Sequence, residues 1–130
     1  MFSKEWQQTV NSVKKWLKAN NKENGEMQNL DKIAASMVKY TLPGPMTIMD
    51  CTKDQFYGVD NAQEMRNDLI KIINREILSL AKHGCMNIQL DEPVLMRYPE
   101  KALEYGVNDV IKCFEGKTGR ISATGPSLGF

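Results

Sequence analysis

The chain has one histidine in 130 residues, His83, and only three cysteines, Cys51, Cys85 and Cys113. Structural zinc is held by four clustered nitrogen and sulfur donors, so this inventory argues against a complete zinc site. An odd number of widely spaced cysteines also argues against a disulfide framework and fits the reduced thiols of a cytoplasmic protein. Charge of one sign is missing as well: 17 Lys and Arg face 16 Asp and Glu, for a net of +1. That excludes a basic stripe for nucleic acid and an acidic interaction tail. No apolar run approaches the ~18 residues of a membrane span. The start, Met1 to Trp6, is too polar for a secretory signal peptide. No internal repeat is present.

What remains is a chain that is 42% hydrophobic and long enough for one domain at most. Residues 5–19 have helical spacing, with Trp6, Val10, Val13 and Leu17 on one face. Residues 20–29 are rich in Asn, Lys and Glu and read as a solvated loop. Residues 31–37 fit either a short helix or an irregular lead-in. Val38 to Leu42 alternates as a strand, and Pro43 and Pro45 are expected to stop it because neither can donate to a ladder. Asp50 to Asp60 reads as a loop. Asp60 with Gln63 makes a capping-box pattern. A helix then carries Met65, Leu69, Ile72, Ile73, Ile77 and Leu80, widened by Ile70, Leu78 and Ala81, to a terminating Gly84.

Met86 to Asp91 alternates again, with Met86, Ile88 and Leu90 opposite Asn87, Gln89 and Asp91. Pro99 suits a first helical position. Leu103, Val107, Val110, Ile111 and Phe114 form the stripe expected to face the core. After Gly116 the chain loses its period and reads as a frayed tail. Three segments follow: 1–37, a helix and polar loop; 38–116, a β-α-β-α unit; and 117–130, a flexible tail.

Asp91-Glu92-Pro93 gathers two carboxylates where a strand ends. Such a group can hold an ammonium by a charge-assisted hydrogen bond, or it can simply terminate the strand in a turn. Gly44-Pro45 can admit a ligand close to backbone or make a tight strand exit. His83-Gly84-Cys85 has the look of a metal pair, but its place at a helix end fits a histidine facing the helix dipole and a small buried cysteine. Gly116-Lys117-Thr118 lacks the earlier glycine and the preceding strand of a phosphate loop. Cys51 and His83 lie at opposite ends of the intervening helix, which excludes a Cys–His nucleophile pair.

Ile88-Gln-Leu-Asp-Glu-Pro93 resembles the Ile-Asp-Glu-Pro-Ala-Leu strand of the cobalamin-independent methionine synthases. Thr41-Leu-Pro-Gly-Pro-Met-Thr-Ile48 resembles that family's Leu-Thr-Gly-Pro-Val-Thr-Ile strand. The spacing and the following helix fit too, so the resemblance covers about residues 38–116. It implies an α/β fold, a partial (β/α)₈ TIM barrel of the methionine synthase and uroporphyrinogen decarboxylase type. It implies a methyltransferase that moves a methyl group to the thiol of homocysteine in methionine biosynthesis, with Asp91, and Glu92 beside it, as substrate-binding residues.

The family's zinc ligands and catalytic histidine are not in this chain, so the polypeptide alone is not expected to be catalytic. The family's folate-stacking tryptophan is replaced by Asp50 and Cys51, which puts a folate methyl donor in doubt; Phe56 or Tyr57 is the alternative ring. Another thiol, or a porphyrin carboxylate, is a further substrate class, though Arg66, Arg75, Arg97 and Arg120 form no cluster. The expected partners are homocysteine or another thiol, and a complementing barrel fragment or a second copy. The rival reading is a non-catalytic interaction module that pairs through exposed barrel edges.

Overall fold

The structure is a computed structural model that describes residues 2–20, 30–117 and 122–123. Two helices come first, α1 (Phe2–Asn20) and α2 (Leu30–Met37), which settles residues 31–37 as helical. Strand β1 (Lys39–Pro43) runs through Gly44 into helix α3 (Pro45–Cys51). A 3₁₀ turn, Val59–Asn61, leads into the long helix α4 (Ala62–Lys82). Strand β2 (Asn87–Asp91) is followed by α5 (Val94–Arg97), α6 (Pro99–Lys101), a π-helical turn (Ala102–Gly106) and α7 (Val107–Cys113). A short strand, β3 (Ser122–Ala123), closes the order.

The sheet is parallel and sequential, β1-β2-β3. The fold is therefore α/β, a βαβαβ unit in which helices carry the chain back between neighbouring strands. The β1–β2 register runs from Lys39 opposite Asn87 to Pro43 opposite Asp91. Alternation places Leu42, Ile88 and Leu90 on one face, where they join Trp6, Val10, Ala34, Ile73, Ile77, Leu80 and Phe114 in a single core. Lys39, Thr41, Gln89 and Asp91 take the other face, and Lys39 and Thr41 on it are exposed.

Helix α4 ends as its sequence predicts. Gly84 has φ 97°, the left-handed conformation that glycine adopts most cheaply. The Cys85 amide donates to the Leu80 carbonyl and the Gly84 amide to Ala81, which is a Schellman closure.

The strand stops at the prolines as expected: Pro43 is the last residue of β1, one position past Leu42, and the Gly44 amide donates to the Asp91 carbonyl at 2.9 Å. Three expectations are corrected. Asp50 and Cys51, expected to begin a loop, instead end helix α3, because Pro45 occupies its first turn and a distant carboxylate caps it. Asp60 is not the cap of α4, since Asn61 stands there without a side-chain cap bond. The preceding loop is organised instead by Asp54, whose carboxylate accepts the amides of Phe56, Tyr57 and Gly58 at 2.7–2.9 Å.

The third correction is the register of the C-terminal helix. Leu103, Val107 and Ile111 are exposed, Leu103 at 85%. The buried set is Ala102, Gly106, Asp109, Val110, Cys113 and Phe114. Gly106 lies so close to Met46 and Leu95 that a Cβ there would overlap both side chains. That contact, with the burial of Asp109, turns the helix against its own apolar stripe. Ile72 is likewise on the outer side of α4. The loop expected at 20–29 falls, beyond Asn20, outside the described residues. So does the tail at 118–121 and 124–130, although Ser122 and Ala123 between them pair with Gln89 and Leu90.

Candidate functional site

The two carboxylates of Asp91-Glu92-Pro93 have different fates. Asp91 ends β2 on the open polar face and is half-exposed. Its carboxylate accepts a hydrogen bond from the Gln89 side-chain amide. The Gln89 carbonyl oxygen in turn accepts from Lys39 Nζ at 2.6 Å. All three side chains project from the same sheet face, as the period of two requires.

Glu92 is one residue on, and its side chain is fully buried. Its Oε2 accepts the Met46 amide at 3.1 Å and its Oε1 the Thr47 amide at 2.9 Å. These are the second and third residues of α3, whose cap residue Gly44 has no side chain to offer. Glu92 therefore caps α3 from the neighbouring strand end, and its charge meets the positive end of that helix. It ties the two strand ends together and has no free oxygen directed at solvent.

Burial pushes the Glu92 carboxyl above its ordinary value of 4.5, and the Asp109 carboxylate adds to the rise. The Thr47 and Met46 hydrogen bonds oppose it without cancelling it. With the folded value raised, the folded state binds more protons than the unfolded one across that window. Stability contributed by Glu92 is thus fully present below about pH 4.5 and is lost as pH rises through the folded value. Urea unfolding of wild type and Glu92→Gln at a series of pH values checks this. The wild type should lose stability relative to the variant as pH climbs above 4.5. A difference that stays constant with pH would sink the assignment.

Behind this junction, Asp109 is 1% exposed and receives Arg66 Nε at 2.8 Å. The Arg66 guanidinium also lies 3.7 Å from the centre of the Tyr105 ring. Cys113 is buried nearby; desolvation, with Glu92 and Asp109 beside it, pushes its thiol up to about 12. On the outer side, Met46, Met49, Asp50, Val94, Tyr98, Lys101 and Tyr105 line a cavity of about 220 Å³. Arg97 pairs with the lining residue Asp50 at 3.1 Å.

His83 and Cys85 lie before β2, at the opposite end of the strand from Asp91. His83 Nδ1 is 2.7 Å from the Ser79 carbonyl, and the buried Cys85 thiol donates to the Asn87 carbonyl at 3.5 Å. Among the described residues, no three His, Cys, Asp or Glu side chains come together as a metal site. The His, Cys, Asp and Glu side chains among the described residues do not fit a zinc site. Phe56 is 87% exposed and meets Tyr57 edge-on at 5.0 Å, while Asp50 and Cys51 end α3 without offering a ring. Among the described residues no helix is long and apolar enough to cross a membrane.

Sequence reasoning singled out Asp91 and Glu92 but not Lys39 and Gln89, which the structure joins to Asp91 by hydrogen bonds. The usable signal was the alternation itself, which places Lys39, Gln89 and Asp91 on one face. It also missed the capping role of Glu92, which depends on a pairing 45 and 46 residues away.

No family model matches the chain, and no solved structure matches it. Curated relatives do. The chain is 36% identical over 86 residues to a protein named methionine synthase from Pyrococcus abyssi. It is 35% identical to the protein of that name from Pyrococcus horikoshii and 33% to that from Thermococcus kodakarensis, again over 86 residues. Each match covers 64% of this chain and 25% of the relative, so the chain spans about a quarter of the length of the proteins it matches. Over those 86 residues the chain is a methionine synthase-like segment.

Proposed function

We propose that this segment is one sector of a methionine synthase-like (β/α)₈ barrel, and that it holds the ammonium group of an amino-acid thiol, homocysteine, at Asp91. The observation that carries the reading is the position of Asp91: a half-exposed carboxylate at the C-terminal end of a parallel strand, on the polar face. In such barrels the C-terminal strand ends build the site. A carboxylate there gives a charge-assisted hydrogen bond to an ammonium. Glu92 serves the site indirectly, by fixing the strand end that carries Asp91.

Methyl transfer to the thiol is the reaction that the name of the relatives supports. Zinc, which activates the thiol in the resembled family, would need ligands from beyond the described residues. Calorimetric titration with L-homocysteine tests the reading. Wild type should bind, and Asp91→Ala should weaken binding about tenfold or more, the loss expected for a charge-assisted hydrogen bond. Equal heats from the two proteins would sink it.

A second reading is favoured by the exposed stripe of Leu103, Val107 and Ile111: an interaction module that pairs with another barrel segment or a second copy. Sedimentation equilibrium separates the two. A monomer at every concentration counts against self-association.

A further inference from the structure

We propose that Gln89 and Lys39 are positioning residues for Asp91, a relay that fixes which carboxylate oxygen faces a bound ammonium. This rests on the ammonium-binding reading of Asp91 and adds the two groups that aim it. The argument begins with hydrogen-bonding capacity. A lysine ammonium can only donate, and an ionised carboxylate can only accept. A side-chain amide does both, at opposite ends of one rigid plane. Placed between them, Gln89 has a single favourable orientation: carbonyl toward Lys39, amino group toward Asp91. The observed bonds have that sense, Lys39 Nζ to Gln89 Oε1 at 2.6 Å and Gln89 Nε2 to Asp91 Oδ1. The reversed amide would set two donors head to head at Lys39 and two acceptors at Asp91.

Packing reinforces the electrostatics. Gln89 is 7% exposed, one of three buried polar or charged side chains among the described residues. Its Cα sits opposite Thr41 in β1 and opposite Ser122 in β3, so it lies in the central strand of the described sheet. A side chain in that position cannot turn freely to water. The bond occupies Oδ1 of Asp91, which leaves Oδ2 as the oxygen that a ligand meets. Lys39 spans from the start of β1 to complete the chain, and it is the group that keeps Gln89 from flipping.

The relay predicts an effect that depends on the ligand's amine. Calorimetry would compare L-homocysteine with 4-mercaptobutanoate, which lacks only the amino group. For wild type, Gln89→Leu and Lys39→Met, the readout is the ratio of the two affinities. Gln89→Leu should weaken L-homocysteine about tenfold and leave the desamino compound unchanged, the size expected for a bond to a charged group. Lys39→Met should act in the same direction and more weakly, because Gln89 can then flip. Lys39 is exposed, so this variant keeps the test open if Gln89→Leu fails to fold. If Asp91→Ala abolishes L-homocysteine binding while Lys39→Met and a folded Gln89→Leu match wild type, the relay is overturned and the Asp91 reading stands. If wild type binds neither compound, both fall. Equal losses for the two ligands would assign Gln89 and Lys39 a general structural role and overturn the relay.

Discussion

Arg66→Ala is expected to destabilise the protein by about 3–5 kcal/mol, the cost of leaving a buried charge without its partner. Asp109 is 1% exposed, and its Oδ2 takes the Arg66 Nε–H at 2.8 Å. The Arg66 side chain is 16% exposed and the Asp109 side chain 2%, so the carboxylate is the partner that water reaches least. The guanidinium also lies over the Tyr105 ring, so its removal loses packing as well as charge. Small domains have only about 5–15 kcal/mol of stability to lose. Urea unfolding followed by circular dichroism measures the change. The double variant Arg66→Met with Asp109→Leu should recover most of it, because an apolar pair of similar volume carries no desolvation cost. A loss near 0.5 kcal/mol for Arg66→Ala, typical of exposed ion pairs, would show that water reaches the pair.

Gly44→Ala should be nearly as damaging, by about 3 kcal/mol or more. The backbone at Gly44 is ordinary, with φ −82° and ψ 170°, so conformational strain is not the reason. The reason is room: a Cβ at this position would overlap the carboxyl group of Glu92. Overpacking alone costs roughly 1–3 kcal/mol. Displacing Glu92 also strips the Met46 and Thr47 amides of their acceptor, and an unpaired buried donor costs a further ~1–3 kcal/mol. The two causes can be separated by a double-mutant cycle. In a Glu92→Ala background the new methyl group meets empty space, so Gly44→Ala should cost far less there than in wild type. Additive losses would show that Gly44 and Glu92 act independently.

The local half of this fold was legible in the residues. Helix α4 follows from its apolar spacing and the Gly84 terminator, and β2 from its alternation. The pair of segments around Gly44 and Asp91 carried the likeness that the relatives bear out. What the residues hid was everything decided across the sheet. Nothing near Pro45 announces a capped helix, because its cap, Glu92, arrives from the next strand end. The sequence stripe of Leu103, Val107 and Ile111 pointed the C-terminal helix the wrong way. Close approach at Gly106 and the Arg66–Asp109 pair outweighed hydrophobicity there, and neither has a periodic signature. The half-exposure of Asp91 and the full burial of Glu92 were equally illegible, since adjacent carboxylates look alike until a neighbouring backbone claims one.

The parallel pairing of β1 with β2 bears on how the chain is made as well as on what it does. Lys39 and Gln89 are 50 residues apart, and the long helix must be laid down between their strands. At roughly 5–20 residues per second, a ribosome would leave β1 waiting about 3–10 s for its partner. During that interval Leu42 has only the α1 and α2 part of its core, Trp6, Val10 and Ala34, to meet, and the strand's amides and carbonyls have no ladder. Helix α4 can coil meanwhile, since its hydrogen bonds are all local. The order of birth is therefore helix first and sheet second, and the period of greatest exposure to chaperones or to misassembly ends when Asp91 leaves the exit tunnel.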